Sequence, residues 1–245
     1  MSDARTIAWW SAGAASTIAA KLTPEAELVY CDTKAEHPDN LRFRADVERW
    51  LGRTVTSIAS DEYADTWDVW ERRKFMAGVH GAPCTVELKV GPRLAFQRPH
   101  DVHVFGYTAD GPDVKRAERL RDNFPELAVC TPLIERGITK AGCLAMLENA
   151  GIQIPMMYRL GYQNNNCIPC VKATSPDYWS LIRKTHPEEF ERAAKLSRKL
   201  GARLARINNE RIFIDEIPAD WPTTNPIAPA CDFLCALAEQ DMDDD

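Results

Sequence analysis

The chain has 245 residues, of which 45% are hydrophobic and 27% charged, and a formal net charge of −6. That length suits one α/β domain with an appendage, or two small domains. The negative balance argues against duplex binding driven by phosphate neutralisation. The opening Met1-Ser2-Asp3-Ala4-Arg5 lacks the apolar run of a secretory leader. No apolar stretch approaches the roughly 20 residues that span a bilayer. The expectation is a cytoplasmic protein with no membrane partner.

In chain order, Thr6 to Trp10 predicts a short buried strand, followed by the small residues Ser11-Ala12-Gly13-Ala14-Ala15-Ser16 and a helix from Thr17 to Leu22. Leu28 to Cys31 predicts a second strand, closed by Asp32-Thr33. Leu41, Phe43, Val47, Trp50 and Leu51 recur at helical spacing over Asp39 to Leu51. Val55 to Ala59 reads as a third strand, and Tyr63 to Met76 as a helix with Trp67 and Trp70 on one face. A helix over Val86 to Phe96 is expected to be interrupted at Gly91-Pro92. Val102 to Tyr107 predicts a strand with Gly106 near its carboxyl end, then a charged helix over Asp113 to Asn123 and a strand over Leu127 to Cys130. Thr139 is placed to cap a helix that runs to Ala150 and stops at Gly151. Alternating strands and helices predict an α/β fold, with a mainly parallel sheet covered by helices on both faces. Such an α/β domain is assigned to residues 1–154. Residues 155–245 are assigned to a smaller, helical C-terminal region that carries cysteine pairs. There the expected elements are helices over Pro176–Thr185 and Pro187–Leu200, and a hairpin that turns at Asn208-Asn209.

Ligands of parallel sheets bind outside the carboxyl ends of the strands. Three short segments fall at such ends: Ser11 to Ser16, Asp32-Thr33, and Gly106 to Asp113. Small residues between a strand and a helix let backbone N–H groups approach an anion, and the helix N-terminus adds its positive dipole end. Ser11 and Ser16 add hydroxyl donors. The same composition also fits a plain strand–helix turn packed with small residues. Asp32 has two readings as well: a ligand for magnesium or a ribose hydroxyl, or a cap on the turn that follows it.

The loop resembles the PP-loop of the adenine nucleotide alpha-hydrolase superfamily, Ser-Gly-Gly-x-Asp-Ser. Ser11, Gly13 and Ser16 match, whereas Ala12 and Ala15 replace a glycine and the usual aspartate. Cys31-Asp32-Thr33-Lys34-Ala35-Glu36-His37-Pro38 is similar to the second-strand motif Asp-Thr-x-x-Glu-x-Pro of the phosphoadenosine phosphosulfate (PAPS) reductase family. Cys84-Thr85 with Lys89 resembles that family's Cys-Thr-x-x-x-Lys segment, and Gly106 to Asp110 with Arg116 and Arg119 takes the place of its Gly-x-x-x-Asp/Glu-x-x-x-Arg stretch. The resemblance implies a PP-loop, Rossmann-like fold that acts on the α–β phosphate bond of ATP or on the sulfate of PAPS, with Mg2+. It implies phosphate contacts from residues 11–16 (Ser11, Ala12, Gly13, Ala14, Ala15, Ser16), with Asp32, Thr33, Gly106 and Arg119 also on the nucleotide. It gives catalytic roles to Asp32, Lys89 and Arg116. With Ala15 in place of the family's acid, Asp110 and Asp113 are the substitutes at hand. The family's C-terminal Glu-Cys-Gly-Leu-His motif is absent from the sequence. Three functions stand side by side: adenylation of an acceptor with possible sulfur transfer, thiol-dependent reduction of a sulfonucleotide, and nucleotide binding without turnover.

Cys167-Ile168-Pro169-Cys170 brings two thiols within reach of one ion, and Cys231 and Cys235 would complete a four-thiolate set for zinc or an iron–sulfur cluster. Asn164 to Asn166 are expected to donate to thiolate sulfurs. The alternative is two unconnected cysteine pairs. The expected partners are the nucleotide, an acceptor that is either a nucleic acid or a small molecule, a sulfur-donor or redox protein, and a second copy of the chain.

Overall fold

The computed structural model describes residues 4–78, 81–230 and Ala238. Strands β1 (Thr6–Trp9), β2 (Glu27–Cys31), β3 (Val55–Ile58), β4 (Val102–Val104) and β5 (Ala128–Cys130) form one sheet in the order β3-β2-β1-β4-β5. Every pairing is parallel, with Ala8 opposite Leu28 on one side and Val104 on the other. Ile7 and Ala8 are both buried although adjacent residues point to opposite faces. That is the mark of a strand covered on both sides. The expected α/β class with a parallel sheet is observed.

The helices are α1 (Ala14–Lys21), α2 (Asn40–Leu51), α3 (Thr66–Arg73), α4 (Pro83–Thr85), α5 (Gly91–Phe96), α6 (Gly111–Asn123), α7 (Pro132–Glu135), α8 (Lys140–Asn149), α9 (Met156–Arg159), α10 (Pro176–Thr185) and α11 (Pro187–Leu200). A two-stranded antiparallel hairpin, β6 (Ala205–Ile207) and β7 (Glu210–Ile212), follows. Its turn residues Asn208 and Asn209 both have positive φ, 48° and 67°, as a two-residue turn between twisted strands requires. Among the described residues no helix is long and apolar enough to cross a membrane.

Two expectations from the sequence are corrected. The helix predicted over Tyr63 to Met76 is shorter, because Asp65 caps it by accepting from the Asp68 N–H at 2.8 Å and Lys74 ends it in the left-handed region. The helix over Val86 to Phe96 is not interrupted at Gly91-Pro92. It begins earlier, at Pro83, and passes through a π-helical turn, Val86–Val90, in which Gly91 N–H donates to Val86 O. Widening the turn just before Pro92 accommodates a residue that has no N–H to give.

Two apolar clusters form. One joins β1, β2, β4, α1 and α8 through residues such as Ile18, Leu28, Val104, Leu144 and Leu147. The other gathers Trp179, Ile182, Phe190 and Ile214 around Trp67, Trp70 and Met76 of the N-terminal half.

Candidate nucleotide site

The chain reverses direction across the sheet between β1 and β4, and a crevice opens there at the carboxyl ends. Gly106, just past β4, lies directly against α1. A Cβ at this position would stand 2.6 Å from Ser16 N, 2.7 Å from Ser16 Cα and 2.8 Å from the Ala15 carbonyl carbon. These are backbone atoms with little room to yield, so only glycine lets the two segments meet this closely.

The Ser11–Ser16 loop is braced from within. Ser16 Oγ accepts from Ser11 N–H at 3.0 Å and from Ser11 Oγ at 3.1 Å, and donates to Gly13 O at 3.1 Å. Its hydroxyl thereby shapes the loop. Thr17 Oγ1 donates to the same carbonyl at 2.9 Å and accepts from Trp10 Nε1 at 2.8 Å. Ala12, where the family has glycine, takes the left-handed region at φ 55°. The buried Asn165 carboxamide holds that turn by donating to Ala12 O, and it also donates to Asn40 Oδ1 at 2.8 Å. Tyr158 Oη accepts from Ala14 N–H at 3.4 Å, and burial pushes the phenol up to about 12. Ala12 and Ala14 are wholly buried, while Ser11, Gly13, Ala15 and Ser16 border the crevice. The first turn of α1 thus presents main-chain N–H groups and a positive dipole end to the cavity.

That cavity measures about 400 Å3. Its far wall is apolar and aromatic, with Trp9, Val29, Tyr30, Val90 and Phe105. Four cationic side chains border it, Lys89, Arg93, Arg116 and Lys140, against two carboxylates, Glu36 and Asp113. Glu36 is sunk among Tyr30 Oη at 2.6 Å, Asn40 Nδ2 at 3.0 Å and Lys89 Nζ at 3.9 Å, and burial raises its pKa despite the lysine. Burial acts to lower the Lys89 pKa, and the neighbouring acidic groups Cys167, Glu36, Cys170 and Cys31 oppose it, so that the net direction is upward. Arg93 was not singled out by the sequence. Only 9% of its surface is exposed, its Nε has no hydrogen-bond partner, and burial lowers its pKa. It departs from the motif that ends at Lys89, so no family pattern points to it; the signal was a lone arginine inside an otherwise apolar helical turn.

The remaining candidates are distributed as follows. Asp32 borders neither this cavity nor the neighbouring one. Its carboxylate accepts from Lys34 N–H at 2.9 Å and pairs with the Lys34 ammonium, which is the turn-capping role. Thr33 faces the neighbouring cavity, its Oγ1 3.0 Å from Cys167 Sγ. Arg119 also borders the second cavity and not the first, whereas Lys89 and Arg116 border both. Of the two acids considered for the missing loop aspartate, Asp113 borders the first cavity, where it holds Thr108 and Arg116; Asp110 is turned away to Lys140 N–H at 2.8 Å.

Cys84, Cys167 and Cys170 border the second cavity. Among the described residues no group of three or more His, Cys, Asp or Glu side chains is gathered for a metal ion. Cys231 and Cys235 lie outside the described residues. Burial pushes the Cys167 thiol up to about 12, against the opposing pull of Lys89. Of the asparagines expected to donate to thiols, Asn165 donates to Ala12 O, and Asn164 Oδ1 accepts from Lys140 Nζ at 2.8 Å.

No family model matches the chain, and no curated protein matches it. A solved structure does resemble it. The crystal structure of phosphoadenylyl-sulfate (PAPS) reductase from Candida auris, in a phosphate complex, aligns with a TM-score of 0.46 at 13% identity, over 67% of this chain and 80% of that one.

Proposed function

We propose that the first cavity binds ATP, and that the protein cleaves its α–β phosphate bond to adenylate an acceptor. The observation that carries this reading is Arg93: a buried guanidinium whose Nε is unpaired and which has no carboxylate partner among the described residues, beside a helix N-terminus, is an arrangement completed by a polyanion. The aromatic wall of Trp9, Tyr30 and Phe105 suits the base, and the first turn of α1 suits the phosphates. Lys89 and Arg116 stand where charge develops on the phosphate chain, and their cations favour that transition state. In the step itself an acceptor oxygen attacks the α-phosphorus, the bond to the β-phosphate oxygen breaks, and pyrophosphate leaves with the electron pair.

Mg2+ would supply Lewis-acid stabilisation, and Asp113, the less buried of the two bordering carboxylates, would hold it by giving up a bond to Thr108 or Arg116. The described cysteines do not by themselves fit a zinc or iron–sulfur site, and no step is routed through one. The test is a titration of the full chain with Mg–ATP and with PAPS, followed by product analysis. AMP and pyrophosphate from ATP support the reading. Sulfite from PAPS with a thiol donor and no AMP would replace it with sulfonucleotide reduction, and tight binding without turnover would leave a nucleotide-binding protein.

A further inference from the structure

A second cavity of about 890 Å3 adjoins the first and shares Thr85, Lys89, Tyr107, Arg116, Asn164 and Asn166 with it. Its charge is one-sided. Lys89, Arg116, Arg119 and Lys172 border it, and among the described residues no carboxylate does. The chain as a whole is acidic, at −6, so this is a local concentration of positive charge. Lys89 and Arg116 have acidic neighbours, Glu36 at 3.9 Å and Asp113 at 2.8 Å, and both acids belong to the first cavity. Arg119 and Lys172 are exposed at the rim and, among the described residues, make no ion pair.

Two polar groups of the same wall are buried without a hydrogen bond of regular geometry. Thr66 Oγ1 is buried with no partner. The Trp70 indole N–H lies near enough to Cys84 to oppose the burial that raises its thiol pKa, yet it makes no bond of regular geometry. A cavity bordered by four cations and, among the described residues, no carboxylate selects a ligand rich in acceptors and negative charge. Tyr107 and Phe124 add aromatic surface beside the cations, the combination on which unpaired bases stack while phosphates are neutralised. Its walls are drawn from α3, α6 and the segment 164–173.

We propose that this second cavity is the acceptor site and takes a single-stranded nucleic acid, with strand phosphates on Arg119 and Lys172. The strand's reacting oxygen then reaches the first cavity past Lys89. The role as acceptor rests on the nucleotide reading of the first cavity; the strand binding does not.

The test is fluorescence anisotropy of a short fluorescein-labelled oligothymidylate with the full chain, with and without saturating Mg–ATP. The strand should bind at low salt, together with ATP. Arg119→Glu and Lys172→Glu should each weaken strand binding about tenfold and lower the salt slope by about one. ATP affinity of the Lys172→Glu variant should not change, and thermal unfolding of both variants reports that they are folded. The proposal is overturned if the strand fails to bind at low salt, if both reversals bind like the parent, if ATP displaces the strand, or if a polyglutamate peptide binds as tightly. If ATP does not bind but the strand does and responds to the reversals, the strand site stands and the nucleotide reading alone falls.

Discussion

Replacing Arg93 by methionine separates a ligand-binding arginine from a packing one, because the two roles predict opposite signs. In the free protein the guanidinium is nearly enclosed and its Nε is unsatisfied. A buried donor left unpaired costs about 1–3 kcal/mol. The Phe124 ring, 5.9 Å from the guanidinium carbon, returns about 0.5–1 kcal/mol of that as a cation–π contact. Methionine keeps the apolar stem and removes the charge, so Arg93→Met should stabilise the unliganded chain by about 1 kcal/mol, the difference of these terms. For a chain of this size that raises Tm by about 2–4 °C. The nucleotide, in contrast, loses a charge-assisted contact of about 1.5–3 kcal/mol, so ATP affinity should fall about ten- to hundredfold. Urea and thermal unfolding without ligand, paired with calorimetric titration of Mg–ATP, read both signs. A destabilised variant that binds ATP like the parent would refute the reasoning and make Arg93 a packing residue.

Gly106→Ala forces a Cβ to within 2.6–2.8 Å of the Ala15–Ser16 backbone; overpacking of this kind costs about 1–3 kcal/mol, and displacement of α1 should weaken ATP binding by a larger factor than the mild stability loss explains, as titration and thermal unfolding of the same sample would show. Asp101 is buried, accepts from Arg5 Nη2 at 2.8 Å and Arg98 N–H at 2.7 Å, and is held below its ordinary pKa chiefly by the Arg5 hydrogen bond. Folding therefore favours its ionised form, a contribution complete above the unfolded carboxyl pKa of about 4 and lost as pH falls through the lower folded value. Asp101→Asn should accordingly cost about 2–3 kcal/mol at pH 7, and the gap to the parent should close in acid urea titrations. Cys167, with its thiol pushed up to about 12 by burial, should resist iodoacetamide at pH 8 far longer in the folded chain than in urea, as peptide mass spectrometry would record; rapid labelling would contradict the burial.

The parallel sheet was legible because alternation of strand and helix is written in hydrophobic spacing, and strands such as Thr6–Trp9 and Glu27–Cys31 lie where that spacing put them. The phosphate loop was legible because its chemistry is local: Ser11, Gly13 and Ser16 fall within six consecutive residues. What stayed hidden depended on distant chain segments. Ser16 turns inward to Ser11 and Gly13, Asp32 is taken by Lys34, and Arg93 reaches the crevice only because the π-helical turn resets the phase of the helix before it. The Gly91-Pro92 break was misjudged for the same reason, since a proline is harmless where the preceding turn has already widened.

The grip of Asn165 on Ala12 and of Tyr158 on Ala14 has a consequence for dissecting the molecule. A fragment ending at residue 154 would retain each of the four stretches that resemble the reductase family, and still lose both fingers that keep the strained alanine turn in place. The shape of the loop is therefore a property of the two halves pressed together, and severing them should loosen it without altering a letter of it.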